Sequence, residues 1–309
     1  METQGIHHIT AIAGDPRRNL EFYRDVLGLR LVKQTVNFDD PSTYHLYFGD
    51  RVETPGTLLT FFPWVDLPKG RAGAGSVSAV AFSVPSGSLD FWKEHLEGAG
   101  VVVSTFPERF GERGLRFSDP DGLALELVEV AGEIPVEPWE TGRFTEAVAI
   151  RGFHGVTALV RDAEASRVLL ETALGWRFVG EAGSRLRFEA PEGGVGRFFD
   201  FLVDPEAPRL RPGTGTVHHI AFGLEGAAEQ EALLEALIKV GVEASPVIDR
   251  TYFRSIYFRE PSGILYEGAT DGPGFLIDEP EERLGEALQL PERYAGERTR
   301  IEANLPSLD

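Results

Sequence analysis

The sequence predicts an α+β fold built from four related modules and closed by a helical tail. Two long-range similarities and one local grammar that recurs in each module predict it. The first similarity opens the two halves of the chain. Gly5-Ile6-His7-His8-Ile9-Thr10-Ala11 has a counterpart in Gly152-Phe153-His154-Gly155-Val156-Thr157-Ala158, and Leu27-Gly28-Leu29-Arg30-Leu31-Val32 has one in Leu174-Gly175-Trp176-Arg177-Phe178-Val179. The register agrees at both ends, since residue 8 stands 20 positions before Gly28 and residue 155 stands 20 before Gly175. The second similarity closes the halves. Val77-Ser78-Ala79-Val80-Ala81-Phe82 matches Val217-His218-His219-Ile220-Ala221-Phe222, and Phe117-Ser118-Asp119-Pro120-Asp121-Gly122 matches Phe258-Arg259-Glu260-Pro261-Ser262-Gly263.

Each module reads as a short strand, a helix, a glycine stop and three more strands. In the first module Asp15 is a natural N-cap with Pro16 at the first helical position; Leu20, Tyr23 and Leu27 follow at helical spacing, and Gly28 ends the helix. Leu89, Trp92 and Leu96 mark the second helix. In the third, Asp162 is the expected cap, Leu169 and Leu174 lie on the apolar side, and Gly175 stops it. Leu233, Leu234, Leu237 and Ile238 mark the fourth. The later strands are β-branched and aromatic, as at 43–48, 58–62, 255–258 and 264–267. Gly- and Pro-rich linkers at 63–75, 133–151 and 204–215 join the modules, which are placed at 5–63, 76–130, 151–203 and 216–272. The halves are thus 5–130 and 151–272. The remainder, 273–309, is the tail, in which 278–303 reads as a charged helical segment packed on the outside.

Composition narrows the function. The 309 residues are 42% hydrophobic and 10% aromatic, enough for a sizeable core. A net charge of -19, spread without long runs of one sign, argues against nucleic-acid and anionic-membrane partners, which require basic patches. With no cysteine there are no disulfides, zinc–thiolate sites or thiol nucleophiles. No apolar leader or spanning run is visible, so a cytoplasmic protein acting on a small molecule is expected, with a homo-oligomer left open.

The paired modules resemble the βαβββ units of the vicinal oxygen chelate superfamily, which includes glyoxalases, bleomycin-resistance proteins and extradiol dioxygenases. The resemblance covers residues 5–272. It implies two cupped mixed β-sheet barrels in the glyoxalase-like manner, with metal ligands on the first and last strands of the modules.

The repeat alignment then reads each ligand position. The equivalents on the first strands are His8, Ala79, Gly155 and His219. On the last strands, Glu126 and Glu267 stand six residues after Pro120 and Pro261, while Thr60 and Asp200 stand four after Gly56 and Gly196. Modules 1 and 2 together would offer His8, Thr60, Ala79 and Glu126; modules 3 and 4 would offer Gly155, Asp200, His219 and Glu267. Modules 1 and 4 offer His8, His219 and Glu267, with Thr60 as a non-ligand fourth corner. Only this last pairing yields two imidazoles and a carboxylate, the facial set of non-haem Fe(II) oxygenases. Modules 2 and 3 would then form a metal-free barrel, with Glu126 and Asp200 as relics or structural groups. His154 aligns with His7, and strand alternation turns it away from the ligand face. By the same alternation the two His-His doublets are not expected to face wholly inward.

A closer resemblance lies in Asp249-Arg250-Thr251-Tyr252-Phe253-Arg254-Ser255-Ile256-Tyr257-Phe258-Arg259-Glu260-Pro261, in Tyr266-Glu267 and in Asp271-Gly272-Pro273-Gly274-Phe275. Together with Gly5–Thr10 and Asn37-Phe38-Asp39-Asp40-Pro41, these stretches are similar to the hydroquinone-type ring-cleaving dioxygenases. That resemblance implies His8, His219 and Glu267 as ligands of Fe(II), with Mn(II) as the other candidate, and an aromatic substrate and O2 as partners. It also implies His218, Arg250 and Tyr257 as catalytic groups and Thr10 and His7 as substrate-binding ones. The residue types suit the chemistry. Three protein ligands leave positions open, a metal lowers a phenol's pKa, a neighbouring base steers the proton, and Arg250 or Tyr257 stabilises charge developing on oxygen. Two other classes stay in view. A glyoxalase-type isomerase would want a fourth protein ligand where Thr60 stands, and a sequestering protein would need no metal.

Overall fold

The computed structural model describes residues 2–106 and 108–308; Met1, Pro107 and Asp309, the last of which ends the tail read from the sequence, lie outside the described residues. The first module runs β1 (Ile6–Ala13), α1 (Pro16–Glu21), β2 (Arg30–Val36), β3 (Tyr44–Gly49) and β4 (Leu58–Pro63). The second runs β5 (Ser76–Pro85), α2 (Leu89–Gly98), β6 (Ser104–Thr105), β7 (Gly114–Ser118) and β8 (Ala124–Val130). The third comprises β9 (Phe153–Val160), α3 (Glu164–Thr172), β10 (Arg177–Ala182), β11 (Arg185–Glu189) and β12 (Phe198–Val203). The fourth comprises β13 (Val217–Leu224), α4 (Ala227–Lys239), β14 (Ile248–Asp249), β15 (Arg254–Arg259) and β16 (Leu265–Thr270).

These strands form two eight-stranded mixed sheets, in the orders β14-β15-β16-β13-β1-β4-β3-β2 and β10-β11-β12-β9-β5-β8-β7-β6. The first sheet therefore joins the first and fourth modules through the antiparallel β1–β13 pair, and the second joins the two middle modules through β5–β9. Modules adjacent in sequence touch by other means. Tyr23 donates its hydroxyl proton to Asp119 at 3.0 Å, and Ser166 donates to Glu260 at 2.5 Å, so the helical turn after α1 leans on the second module and α3 on the fourth. One continuous apolar cluster runs through both sheets.

Alternation along the strands sorts the faces. On β3 and β4, Phe48 and Phe61 pack under Tyr23 of the helical turn after α1, at ring-centroid distances of 5.3 and 4.5 Å. Tyr47 and Thr60, paired across the same strands, point to the opposite, concave face. Asp15 caps α1 by accepting from Arg17 N and Arg18 N, as its sequence position predicts. The third helix differs from expectation. Its N-cap is Ala163, and Asp162 stands one residue earlier, accepting from Glu164 N at 2.9 Å.

The tail is helical only in pieces: 3-10 turns at Phe275–Ile277, Glu281–Arg283 and Glu292–Glu297, then α5 (Arg298–Asn304). Pro280 and Pro291, which lack an amide proton, stand before the second and third of these turns and prevent the continuous helix read from the charge pattern. The tail is also not merely external. It lies along β2, where Gln289 N donates to Gln34 O, and Lys33 of β2 is completely buried beneath it, bonded to Asp278 and Glu279. Among the described residues no helix is long and apolar enough to cross a membrane.

Candidate metal centre and its cavity

The central β1–β13 pair is irregular at two places. Ile6 pairs with Phe222 and His8 with Ala221, so His7 is an extra residue on β1; Thr10 pairs with His219 and Ala11 with Val217, so His218 is extra on β13. Each is a β-bulge, which interrupts alternation and lets two successive side chains turn the same way. The expectation that the doublets do not face wholly inward holds for His7, which does not line the cavity, whereas His218 lines it beside His219. His7 Nδ1 stands 2.9 Å from His8 Nδ1, and His218 Nδ1 stands 2.8 Å from His219 Nδ1.

The second histidine of each doublet faces the middle of the sheet. His8 Nε2 and His219 Nε2 are 3.3 Å apart and lie 3.4 and 2.9 Å from Glu267 Oε2. All three residues are buried, and their donor atoms fall within 4.8 Å of one another. Glu267 Oε1 accepts from the Ser255 hydroxyl, whereas Oε2 is buried without an acceptable hydrogen bond despite the nearby imidazoles. Three ligand atoms aimed at one point, one of them an orphaned carboxylate oxygen, are the arrangement a cation completes. Electrostatics agree. Burial acts to raise the Glu267 carboxyl, but His8 and His219 outweigh it and hold the group well below the usual range. Burial also pushes the His219 imidazole down, toward the neutral form that binds metals. With Nε2 turned inward, Nδ1 of each ligand-type histidine carries the outward proton, and His7 and His218 receive it. Burial lowers both of these to about 3, so they are neutral acceptors.

The fourth corner holds Thr60, whose hydroxyl bonds Thr10 Oγ1 at 2.8 Å and His45 Nε2 at 2.9 Å. Above the centre opens a cavity of about 300 Å³ whose wall includes His45, Tyr47, Phe62, His218, Arg250 and Tyr257. Arg250 Nε donates to Tyr257 Oη at 3.1 Å, and its Nη1 pairs with Asp39 at 2.9 Å, so a loop of the first module clamps a side chain of the fourth.

The structure therefore brings His218, Arg250 and Tyr257 to the cavity and sets Thr10 and His7 behind its wall. Thr10 is fully buried against Thr60, and His7 lies edge-on to Phe253 at 5.7 Å. His45 and Tyr47, absent from the sequence-derived set, stand on the wall. The repeat held the missing signal: Tyr47-Phe48 and Tyr257-Phe258 occupy matching places, paired with Thr60-Leu59 and Glu267-Tyr266. His154 is in the other sheet, bonded to Glu112 at 2.7 Å.

The corresponding place in the second sheet has a different set of residues. Ala79 stands where His219 does and Gly155 where His8 does, and a Cβ on Gly155 would lie 2.1 Å from Phe198 O, so no side chain fits there. Glu126 and Asp200 persist but are neutralised: Arg109 Nη2 bonds Glu126 at 2.5 Å, and Arg185 and Arg187 bond Asp200 at 2.9 and 2.8 Å. The cations paired with these carboxylates are guanidinium groups.

Residues 5–127 and 152–267 match the profile of the Glyoxalase/Bleomycin resistance protein/Dioxygenase superfamily. The chain is 46% identical over 304 residues to a Bacillus subtilis protein provisionally described as the ring-cleaving dioxygenase MhqO, covering 98% of this chain and 96% of that one. It is 36% identical over 302 residues to the chlorohydroquinone/hydroquinone 1,2-dioxygenase of Sphingobium indicum, covering 95% and 93%. Among solved structures, a provisionally described dioxygenase from Bacillus subtilis superposes with a TM-score of 0.96 at 45% identity, over 100% of this chain and 98% of that one. Glyoxalase I from Zea mays shares the fold, with a TM-score of 0.65 at 16% identity over 86% and 92%.

Proposed function

We propose that this chain, which belongs to the glyoxalase/bleomycin resistance protein/dioxygenase superfamily, is a metal-dependent ring-cleaving dioxygenase that inserts O2 into a hydroquinone-like aromatic. His8, His219 and Glu267 are the proposed ligands of Fe(II), with Mn(II) as the other candidate ion. The observation that carries this reading is the convergence of two Nε2 atoms and an orphaned carboxylate oxygen at the floor of an aromatic-lined cavity.

A divalent ion held by His8, His219 and Glu267 would supply a positive centre that favours the ionised form of a phenol. The protein's own residues do the rest. Ser255 holds Glu267 Oε1, so that Oε2 stays aimed inward. His7 and His218 accept the Nδ1 protons of His8 and His219 and fix their ring planes. His218 accepts the His219 proton at Nδ1, so its neutral ring carries a proton on Nε2 and presents that N–H from the cavity wall to a substrate oxygen. Arg250 and Tyr257 place a guanidinium and a phenol proton beside the centre, where negative charge grows on oxygen during ring attack. Phe62, Phe38 and Phe253 give the ring an apolar slot. A glyoxalase-type reaction fits less well, because Thr60 presents a hydroxyl already shared with Thr10 and His45.

The test is oxygen uptake by protein reconstituted anaerobically with Fe(II), with hydroquinone and catechol side by side. Uptake with hydroquinone and a ring-opened product is expected. Uptake with catechol alone would overturn the substrate class, and no uptake despite bound iron would overturn the reaction.

A further inference from the structure

The first sheet's two halves are related by a pseudo-twofold axis between β1 and β13, and this relation places Tyr47 as the counterpart of Tyr257. Tyr257 pairs across strands with Glu267, and Tyr47 pairs with Thr60. Both tyrosines line the cavity, yet their hydroxyls are held in opposite senses. Tyr257 Oη receives Arg250 Nε–H, and a guanidinium can only donate, so the Tyr257 proton is left for other partners. Tyr47 Oη instead stands 2.8 Å from His45 Nδ1, and His45 Nε2 is 2.9 Å from Thr60 Oγ1. A neutral imidazole has one donor and one acceptor nitrogen, so Tyr47 can hand its proton to Nδ1 and turn a lone pair toward the cavity.

That distinction matters for a ring with two hydroxyl groups. The group that is not on the metal keeps its proton and, once buried, requires an acceptor. The Arg250–Tyr257 wall offers donors, and the Asp39 carboxylate is engaged by Arg250. Both nitrogens of His45 are already occupied. Tyr47, 2% exposed and braced edge-on by Phe275 at 4.9 Å, is rigidly held with its oxygen available.

We propose that Tyr47 accepts the hydrogen bond of the substrate hydroxyl that the metal does not hold, with His45 as the positioning residue that keeps the Tyr47 proton turned away. This inference rests on the dioxygenase reading and assigns the β3 wall as the element that recognises the second hydroxyl of the ring.

The experiment is anaerobic calorimetric titration of the metal-loaded full chain with hydroquinone and with 4-methoxyphenol, which lacks the second hydroxyl proton. Metal content and melting temperature are measured alongside. Wild type should prefer hydroquinone by about fivefold, the weight of one neutral hydrogen bond. Tyr47→Phe should remove that preference by weakening hydroquinone alone, with metal content unchanged. His45→Phe frees the Tyr47 proton to donate to the ether oxygen, so the preference should swing toward 4-methoxyphenol, which a merely structural role would not produce. An undiminished preference in Tyr47→Phe, or equal weakening of both ligands in His45→Phe, would overturn the inference. Wild-type protein that holds metal but binds neither ring would instead overturn the dioxygenase reading beneath it.

Discussion

Replacing Lys33 by methionine keeps the apolar stem of a completely buried side chain and deletes its charge. The ammonium bonds the Glu279 carboxylate, Asp278 Oδ1 at 2.6 Å and Phe275 O at 3.3 Å, and it lies over the rings of Tyr252 and Phe275 at 4.9 and 5.3 Å. Asp278 retains the Tyr252 hydroxyl at 2.8 Å in the variant, but Glu279, only 5% exposed, is left as a buried carboxylate facing no cation. Breaking one side of such a pair costs about 3–5 kcal/mol. At roughly 2–4 °C per kcal/mol, calorimetry at neutral pH should show a melting temperature lower by about 6–20 °C. The double variant Lys33→Met/Glu279→Leu should recover much of this, because no unpaired charge remains. The loss should also reach the cavity, since Phe275 braces Tyr47 and Tyr252 packs on Phe38 at the mouth, so KM for the aromatic should rise. A destabilisation below about 1 kcal/mol for the single variant would refute the claim that this buried charge anchors the tail.

Glu53, beside the tail at Phe275 N, provides a pH test: burial pushes its carboxyl up from 4.5 to about 7. Because the folded value lies above the unfolded one, the unfolded chain releases this proton first, and stability is lost as pH rises through that window. Glu53→Gln should therefore stabilise by about 1–2 kcal/mol at pH near 8, after discounting for partial exposure, and by little near pH 4; a gain at low pH alone would contradict the sign. Ser255→Ala removes the hydroxyl that holds Glu267 Oε1 and should weaken metal affinity by about 10- to 100-fold in competition with a chelator. Unchanged affinity would show that Glu267 is held without it.

Much of the site was legible because repeats convert sequence offsets into sheet positions. Matching the copies set His8, His219 and Glu267 at the first- and last-strand positions that the family resemblance marks for ligands, and the first and fourth modules do share a sheet. The bulges were not legible. An inserted step between two strands leaves no mark in His7-His8 or His218-His219, and it alone brings the adjacent imidazoles together. His45 stands outside the doublets and module ends that carry the repeat signal, although alternation through Tyr44-His45-Leu46-Tyr47 sets His45 and Tyr47 on one face. The tail misled because charge periodicity resembles a helix, while Pro280 and Pro291 divide it into short turns that reach inward to Lys33.

The central claim is that one metal centre exists, at His8, His219 and Glu267, and that its counterpart in the second sheet is closed by arginines. Metal content after reconstitution with Fe(II) and removal of excess ion tests it most directly. Wild type and Glu126→Gln should hold about one ion per chain, while His8→Ala, His219→Ala and Glu267→Ala should hold almost none at the same concentration. Stoichiometric metal in folded Glu267→Ala, or its loss in folded Glu126→Gln, would contradict the account.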